Sequence, residues 1–304
     1  MADVYDVVIV GGGAAGLSGA IVLGRCRRRV LLCDVGQPRN QASRGVHCLL
    51  GHEGTPPTEL LARGRCEIGR YTTVESHADR VTEITPSGRQ FAVACADGFT
   101  ARARKVLLTT GLTDEVPRLE GIQQLYGRSV HHCPYCDGFE HRDQPLGVYG
   151  KGDKGAALAL MMKQWSSDVI LFTDGAADIS SGMRSRLQQK EISICAERIA
   201  SLEGTEDGAL QSIQLQGGQL LERSALFFTT GCRQTSDLSA ALGCARDSKG
   251  GIVTDAVTEE SSVPGVYVAG DASRDVLLVA VAIAEGAKAG VAINRALLQE
   301  EGLG

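Results

Sequence analysis

Short apolar runs that end in glycine or in an acidic residue recur along this chain. The first run, residues 5–10, leads into Gly-Gly-Gly-Ala-Ala-Gly at 11–16, and a mostly apolar segment then continues to Leu23. Another run, 30–33, ends at Asp34. Brief apolar runs bounded by turn residues are typical of buried parallel strands. The pattern therefore predicts a strand–helix–strand unit at the start of the chain.

The middle of the chain repeats this pattern. Residues 146–149 predict a strand, Gly-Lys-Gly-Asp-Lys-Gly at 150–155 predicts a turn into an apolar helix, and residues 169–172 predict the next strand. The run Leu-Phe-Phe-Thr-Thr-Gly at 226–231 also matches Leu-Leu-Thr-Thr-Gly at 107–111. Two copies of one pattern indicate an α/β fold with two Rossmann-type dinucleotide-binding domains.

The end of the chain returns to the first pattern. A predicted strand at 266–269 runs into Gly270, Asp271 and an apolar helix that extends to Ala296. The simplest arrangement therefore inserts the second domain into the first, through short segments whose glycines and charges are typical of hinges. The predicted segments are residues 1–116 and 249–304 for the outer domain and 117–248 for the inserted domain, with linkers at 116–121 and 246–251.

The composition excludes several classes of protein. The chain has 304 residues, a net charge of −5, and no stretch rich enough in lysine and arginine to indicate nucleic-acid binding. Its longest uncharged apolar run, 276–284, is half of the roughly 18 residues that a membrane span needs. The first residues lack the basic region of a secretion signal. We therefore expect a cytoplasmic protein that binds neither nucleic acid nor membrane.

The first glycine loop has the spacing of a dinucleotide-binding fingerprint. Gly11 permits the tight turn, Gly13 lets the backbone approach a pyrophosphate at the helix N-terminus, and Gly16 permits close packing of the helix on the strand. Asp34, which ends the next strand, can accept hydrogen bonds from ribose hydroxyls. A glycine-rich turn without a ligand is the alternative, but the position between a strand and a helix favours a nucleotide site.

Two of the ten cysteines form a close pair. A disulfide framework is not expected, because cytosolic thiols are kept reduced and framework proteins are small and secreted. Cys133 and Cys136 instead have the Cys-x-x-Cys spacing of a disulfide that cycles. Asp137 follows directly and can shuttle a proton as the disulfide opens. Most of the other cysteines are interpreted as small buried hydrophobic residues.

A zinc site is the alternative interpretation of this pair, because His131 and His132 directly precede Cys133. A closed zinc site takes four well-spaced ligands, and adjacent histidines are difficult to aim at one ion. We therefore expect no metal here. The two histidines are interpreted as bystanders, with His132 at most tuning a thiol.

Together these motifs resemble the low-molecular-weight thioredoxin reductase family of flavoproteins. The resemblance covers almost the whole chain, from the first glycine loop through Thr-Thr-Gly at 109–111 and Cys-x-x-Cys-Asp-Gly-Phe at 133–139 to Val-Ala-Gly-Asp at 268–271. It implies a homodimer with FAD in the outer domain and the redox disulfide in the inserted one. The residues that it implies for FAD binding are Gly11, Gly13, Gly16, Asp34, Asn40, Gly111, Gly270 and Asp271.

The same resemblance implies roles for the redox pair. Cys136 would be the thiol that faces the flavin, Cys133 the thiol that attacks an outside disulfide, and Asp137 the acid/base. The partner would be a thioredoxin-like protein or a small dithiol or disulfide. A nucleotide-binding or metal-binding regulatory protein without turnover is the non-enzymatic alternative.

The inserted domain departs from the family at the NADPH site. The family has a Gly-x-Gly-x-x-Ala loop and a His-Arg-Arg cluster for the 2′-phosphate. Here the loop has Gly150, Gly152 and Gly155, the next strand ends at Asp174, and residues 175–183 contain no arginine, lysine or histidine. A carboxylate repels a 2′-phosphate but accepts a hydrogen bond from a free 2′-OH. NADPH is therefore not the expected electron donor.

Two interpretations of this second nucleotide site stay open. It binds a nucleotide with a free 2′-OH, such as NADH or a second adenine dinucleotide, or it binds nothing. The family's Arg-Gln pair in the final helix is also absent, with Val279-Ala280 in about that place. The sequence thus predicts an FAD-dependent disulfide oxidoreductase whose electron donor is unknown, with a dithiol oxidase that uses oxygen, or a classical NAD(P)H thioredoxin reductase, as alternatives.

Overall fold

The computed structural model of the protein describes residues 4–175, 178–273 and 276–304. The chain divides into two compact units. Unit 1 contains Met1–Gln41, Cys48–Thr113 and Arg233–Gly304, and unit 2 contains Ala42–His47 and Asp114–Cys232. Unit 1 is thus discontinuous along the sequence, with most of unit 2 inserted into it.

Strands and helices alternate through the described residues. The strands are Val4–Val10 (β1), Val30–Cys33 (β2), Val74–His77 (β3), Val81–Ser87 (β4), Gln90–Cys95 (β5), Thr100–Leu108 (β6), Leu112–Asp114 (β7), Val130–His131 (β8), Leu146–Tyr149 (β9), Val169–Phe172 (β10), Ser193–Cys195 (β11), Ile199–Gly204 (β12), Leu210–Leu215 (β13), Leu220–Glu222 (β14), Ala225–Phe228 (β15), Cys232–Gln234 (β16) and Val266–Val268 (β17). The helices are Ala14–Arg25 (α1), Pro57–Ile68 (α2), Ile122–Leu125 (α3), Pro134–Asp137 (α4), Gly152–Met162 (α5), Ser181–Gln189 (α6), Leu238–Ala241 (α7) and Val279–Glu300 (α8), with a 3₁₀ turn at Gly270–Ser273. None of the helices within the described ranges combines the length and the apolar character that a membrane span requires.

The sheet of unit 1 has the strand order β3-β2-β1-β6-β5-β4, and β17 also pairs with β6. The strands β3, β2, β1, β6 and β17 run parallel, whereas β4, β5 and β6 form an antiparallel meander. The register sets Val10 opposite both Cys33 and Leu108. The carboxyl ends of β1, β2 and β6 therefore meet at one edge, where α/β sheets bind their ligands.

The central strands of unit 1 are buried on both faces, which is why their sequences are apolar runs without alternation. Val7 and Ile9 belong to a cluster formed with residues of α1, α2 and α8. Val8 and Val10 face the opposite cluster, which includes the meander. Two layers of packing therefore hold β1, and the glycine loop that follows it, in place.

Helix α8 packs closely on α1. A Cβ on Gly286 would overlap the carbonyl oxygen of Ala15, so only glycine permits this approach. Arg28, just after α1, also pairs with Glu301, just after α8, at 2.6 Å. Helix α8 thus covers α1, the helix that follows the first glycine loop.

The main sheet of unit 2 contains five parallel strands in the order β11-β10-β9-β15-β8, beside a separate meander of β12, β13 and β14. In both units the strand before the glycine loop lies between the strand that follows the next helix and the strand that leads into Thr-Thr-Gly. The corresponding triplets are β2-β1-β6 and β10-β9-β15. The structure therefore confirms the predicted α/β fold with two Rossmann-type domains.

The units divide at Thr113–Asp114 and Cys232–Arg233, whereas the sequence analysis places the boundaries at 116/117 and 248/249. Residues 233–248 lie in unit 1, because Leu238 and Leu242 belong to the core cluster of the meander. Their partners on β4 and β5 are more than a hundred residues away in sequence, so local composition does not reveal this packing.

The two predicted linkers are also built into the units. In the 116–121 segment, the Glu120 carbonyl accepts a hydrogen bond from the Leu202 N–H at 2.8 Å, within unit 2. The 246–251 segment forms a turn in unit 1 that an antiparallel bridge closes. Glycine and charge at these positions coincide with turns, and their role as hinges stays a prediction.

Candidate functional site

The first glycine loop is fixed by the end of β6. The hydroxyl of Thr109 donates to the Gly11 carbonyl at 2.7 Å and lies 3.0 Å from the Val10 carbonyl. Gly11 has a φ of 105°, and a Cβ on Gly16 would overlap the Gly11 carbonyl oxygen. The path of the backbone itself therefore requires Gly11 and Gly16.

Gly13 differs, because no protein atom lies within 4 Å of the position that its Cβ would take. Its φ of −73° and ψ of −170° suit any residue. Gly13 caps α1, whose first turn has no acidic residue and no hydrogen bond from a capping side chain. The first N–H groups of α1 and the positive end of its dipole therefore face open space, a cradle that fits the pyrophosphate of a dinucleotide.

Two further predicted residues follow strand ends at the same edge. Asp34 follows β2, and a Cβ on Gly12 would lie 2.5 Å from its carboxylate. Arg65 of α2 is 3.2 Å from Asp34. Gly111 follows β6 with a φ of 65°, and the space beside it is open. The fold thus brings Asp34 next to the first glycine loop, where a ribose would be bound.

The 3₁₀ turn joins this edge through contacts that the sequence analysis missed. Arg39, beside Asn40 in a half-buried turn, pairs with Asp271 at 2.7 Å. The Gly270 N–H donates to the carboxylate of Glu285 at 2.6 Å, and Glu285 is only 6% exposed. A single acidic residue in the apolar first half of α8 was the available signal for Glu285.

In unit 2, Cys133 and Cys136 are joined by a disulfide, with their Cα atoms 5.3 Å apart. Cys133 caps α4, Pro134 begins the helix, and the Cys136 N–H donates to the Cys133 sulfur at 3.2 Å. A backbone N–H directed at a sulfur stabilises the thiolate over the thiol. The short helix therefore prepares Cys133 for the charge that appears when the disulfide opens.

Asp137 ends α4 and contacts a buried histidine. Its carboxylate lies 3.3 Å from Nδ1 of His131, and Nε2 of His131 lies 3.1 Å from Nε2 of His141. His131 is 5% exposed. The interpretation of His131 as a bystander is therefore replaced by a chain of three polar groups that starts beside the redox pair. The other adjacent histidine, His132, points elsewhere, with Nδ1 3.7 Å from Asp114.

The second glycine loop repeats the close packing of the first, although its backbone angles differ. A Cβ on Gly155 would lie 2.5 Å from the carbonyl carbon of Gly150, and a Cβ on Gly150 would lie 2.6 Å from the Thr229 side chain. Thr229 thus occupies the place that Thr109 has in unit 1. Gly152 has a φ of 58°, which favours glycine. Unlike α1, helix α5 has an acidic residue, Asp153, in its first turn.

Asp174 follows β10 as Asp34 follows β2. It has a φ of 51°, and its carboxylate accepts a hydrogen bond from the Tyr149 hydroxyl at 3.1 Å. Burial and the neighbouring Asp174 raise the pKa of Tyr149 to about 12. A rise of this kind is expected beside a negative charge, so the end of β10 is an electronegative position.

Elsewhere in unit 1, the described residues include one group with metal-ligand chemistry, His77, Asp79 and Cys95, whose ligand atoms lie within 4.8 Å of one another. These groups have protein partners. The Asp79 carboxylate accepts the Asp97 N–H at 2.7 Å, and His77 lies 3.0 Å from the Asp97 carboxylate. We assign no metal to them.

Comparison with known proteins agrees with this architecture. The sequence model of the pyridine nucleotide-disulphide oxidoreductase family matches residues 5–286. The chain belongs to this family. A relative from Arthroderma benhamiae, named "Probable thioredoxin reductase", is 33% identical over 89% of this chain and 74% of its own length.

Solved structures of the family show the same fold. The crystal structure of HlmI is 35% identical, with a TM-score of 0.93 over 98% of this chain and 93% of its own. An oxidoreductase from Agrobacterium tumefaciens is 33% identical, with a TM-score of 0.89 over 98% and 99% of the two chains. The resemblance to thioredoxin reductases is therefore confirmed, and membership of the pyridine nucleotide-disulphide oxidoreductase family makes the protein a flavin-dependent oxidoreductase.

Proposed function

We propose that the protein exchanges electrons between FAD, the Cys133–Cys136 disulfide and an external dithiol or disulfide, and that its physiological donor is not NADPH. The observation that carries this proposal is the closed Cys-x-x-Cys disulfide, capped by a backbone N–H and followed by Asp137. Both features favour a cycling pair over a structural bridge, because an N–H directed at sulfur stabilises a thiolate and a neighbouring acid can shuttle its proton.

FAD is the proposed flavin, because the residues of unit 1 suit a dinucleotide. The open position beside Gly13 would receive the pyrophosphate at the N-terminus of α1. Asp34 would accept hydrogen bonds from ribose hydroxyls. Asn40, Gly111, Gly270 and Asp271 would complete the site. Bound flavin supplies a carrier that accepts and returns two electrons.

The residues of unit 2 perform the exchange at sulfur. An external thiolate attacks one sulfur of the pair, a new S–S bond forms, and the Cys133–Cys136 bond breaks with its electron pair on the leaving sulfur. Asp137 passes a proton to that sulfur. When a second external thiolate releases Cys133 from the new S–S bond, the Cys136 N–H, which already points at Cys133, stabilises the charge on the Cys133 sulfur. In the proposed assignment Cys133 meets the external partner and Cys136 is the thiol on the flavin side.

The proposed restriction on the donor rests on the end of β10. Asp174 stands where a 2′-phosphate would lie, and it already accepts a hydrogen bond from Tyr149. Two like charges a few ångströms apart repel by about 1 kcal/mol or more in wet surroundings. A free 2′-OH would meet no such repulsion, so Gly150, Gly152 and Gly155 would bind a nucleotide such as NADH, if they bind any.

The same observation favours a second candidate function, that of a dithiol oxidase. In this case an external dithiol supplies the electrons and oxygen is the terminal acceptor. The proposed partner in either case is a thioredoxin-like protein or a small dithiol or disulfide, and the proposed state is a cytoplasmic homodimer.

A cysteine substitution tests the redox pair directly. We expect the anaerobic, oxidised Cys136→Ser protein to stay yellow when dithiothreitol is added, whereas dithiothreitol bleaches the wild-type flavin. Cys133→Ser should also retain flavin but should block exchange with the external partner. Cys195→Ser is the matched control, because Cys195 is a free thiol of the same unit. Rapid bleaching of Cys136→Ser by the dithiol would contradict the assignment.

A donor titration separates the candidate functions. Oxidised protein is titrated without oxygen with NADPH, NADH, reduced ferredoxin and dithiols, and the flavin absorbance is followed. The proposal expects bleaching by a donor other than NADPH. If air then restores the colour rapidly and peroxide forms in step with the dithiol consumed, the protein is a dithiol oxidase. Bleaching by micromolar NADPH within catalytic times would instead identify a classical thioredoxin reductase.

A further inference from the structure

A continuous chain of hydrogen-bonding groups leads away from the redox pair. It begins at the Asp137 carboxylate, passes through Nδ1 and Nε2 of His131, and ends at His141. Asp137 lies one helical turn from Cys133 and is 18% exposed, His131 is 5% exposed, and His141 is half-buried. The chain therefore connects the thiol chemistry with the surface through a buried middle link.

The nature of each group fixes where protons are needed. A carboxylate only accepts hydrogen bonds, so Nδ1 of His131 must carry a proton to bond with Asp137. His141 also has a hydrogen bond with the backbone of Arg128 that raises its pKa, as an accepting group does. We assign that bond to Nδ1 of His141, the nitrogen that does not face His131.

The chain has one more hydrogen-bond position than it has N–H protons. Two neutral imidazoles carry two N–H groups. The chain has three positions to fill, at Asp137, between the two Nε2 atoms, and at Arg128. One position is therefore vacant at any moment. The vacancy moves when a proton shifts along an existing hydrogen bond, and no side chain has to rotate.

The surroundings hold the two rings in contact and keep that of His141 neutral. The ring of Phe227 lies 5.4 Å from that of His131 and 6.3 Å from that of His141. Burial, His131 and Arg44 lower the pKa of His141 to about 4, while Asp137 and the Arg128 backbone oppose this effect. At neutral pH, His141 therefore acts as a conductor of protons and not as a stored positive charge.

We propose that His131 and His141 form a proton relay that supplies a proton through Asp137 each time the redox disulfide opens and takes one back each time the disulfide closes. The proposal deepens the proposed function and rests on it. Both histidines act through Asp137 and do not touch the reacting sulfurs, so they are positioning residues. The relay lies wholly within unit 2.

The proton balance of the opening step is complete. The leaving sulfur takes the electron pair of the S–S bond and a proton that passes through Asp137, which begins and ends the step as a carboxylate. That proton comes from Nδ1 of His131, and Nε2 of His131 takes the Nε2 proton of His141. Nδ1 of His141 takes one proton from solvent. One proton enters and one is bound to sulfur, and closure of the disulfide runs the same transfers in reverse.

The test measures disulfide opening directly and does not depend on the flavin. Oxidised full-length protein is mixed with dithiothreitol at pH 6 to 8, quenched with N-ethylmaleimide at set times, and the alkylated Cys133 and Cys136 are quantified by mass. Rates are expressed relative to wild type at each pH, because the thiolate fraction of the reagent is then the same. We expect His141→Ala to open at least ~10-fold more slowly near pH 7.

Chemical rescue distinguishes a relay from a structural role. His141 is half-buried, so added imidazole should restore the rate of His141→Ala in proportion to its concentration. His131→Gln should be slow as well but should not be rescued, because His131 is buried. His132→Ala is the matched control. Its ring faces Asp114 instead of Asp137, so imidazole should leave its rate unchanged.

A double variant completes the test. In an Asp137→Asn background, His141→Ala should cause no further loss, because the relay has no end point there. Circular dichroism and thermal unfolding establish that each variant is folded. The relay is overturned if His141→Ala opens at the wild-type rate, if imidazole fails to rescue it, or if the two losses multiply. The proposed function fails separately, through a wild-type flavin that dithiols do not bleach.

Discussion

The two glycine loops share the packing of their first and third glycines but differ in backbone angles and surroundings. In both loops the third glycine packs against the carbonyl group of the first, and a threonine that follows a sheet strand lies against the turn. In unit 1 the second glycine faces open space and the first turn of α1 has no acid. In unit 2 the second glycine has a positive φ, and Asp153 stands in the first turn of α5. Both units keep the contact between the first and third glycines. Unit 1 suits an anion better, because its second glycine faces open space and the first turn of its helix has no acid.

The largest expected effect comes from substitutions at the glycine contact that the two loops share. Gly16→Ala and Gly155→Ala each place a Cβ against the carbonyl group of the first glycine. We expect each variant to lose at least ~3 kcal/mol of stability, seen as a fall of about 6–12 °C in the calorimetric transition of its own unit. A tolerated Gly155→Ala beside a damaging Gly16→Ala would show that the two loops are not equivalent.

The next effect distinguishes flavin binding from folding in unit 1. Gly13→Val should fold normally, because its backbone angles suit valine and its Cβ meets no protein atom. It should weaken flavin binding by at least ~100-fold, about 2.7 kcal/mol, because the side chain takes the space of the pyrophosphate. The bound flavin absorbance per protein measures this loss. Gly182→Val is the matched control, since Gly182 also meets no atom within 4 Å but lies in α6 of unit 2.

A fully yellow Gly13→Val protein would contradict the proposed flavin site. It would show that the open space beside Gly13 is not where the dinucleotide lies, and the difference between the two loops would lose its functional meaning.

The smallest effect concerns the acid after β10. Asp174→Asn removes the charge but keeps a residue type that tolerates a positive φ. We expect the preference for NADH over NADPH, measured as the ratio of flavin reduction rates or of dissociation constants, to fall a few-fold, about 1 kcal/mol. Glu191→Gln is the control, because Glu191 has a φ of 54° and is an exposed acid of the same unit. An unchanged ratio in Asp174→Asn would exclude Asp174 from nucleotide selection.

Local patterns in the sequence predict the parts of the molecule that local physics determines. The strand–glycine–helix pattern places Gly11, Gly16 and Asp34 at one sheet edge, and the spacing of Cys133 and Cys136 predicts their disulfide. Each of these depends on residues that are close in sequence or on the period of a strand. The same repeated pattern also predicted that both units have a Rossmann-type fold.

Contacts between distant segments could not be predicted in this way. Arg39 meets Asp271 across more than two hundred residues, and the boundary after Cys232 depends on how Leu238 packs against β4. The pair of His131 and His141 is only ten residues apart. It was missed because the short helix α4 and the turns after it together set their distance, and no single sequence period describes that segment.

The close packing of α8 on α1 has a consequence for synthesis. Unit 1 needs Arg233–Gly304, which leaves the ribosome after every segment of unit 2. At a translation rate of about 5–20 residues per second, synthesis of Arg233–Gly304 takes on the order of 4–14 s. All the segments of unit 2 are synthesised before that interval, so unit 2 can fold during translation. Helix α1 stays uncovered until α8 emerges. Loading of the proposed flavin is therefore a late event in the life of the chain.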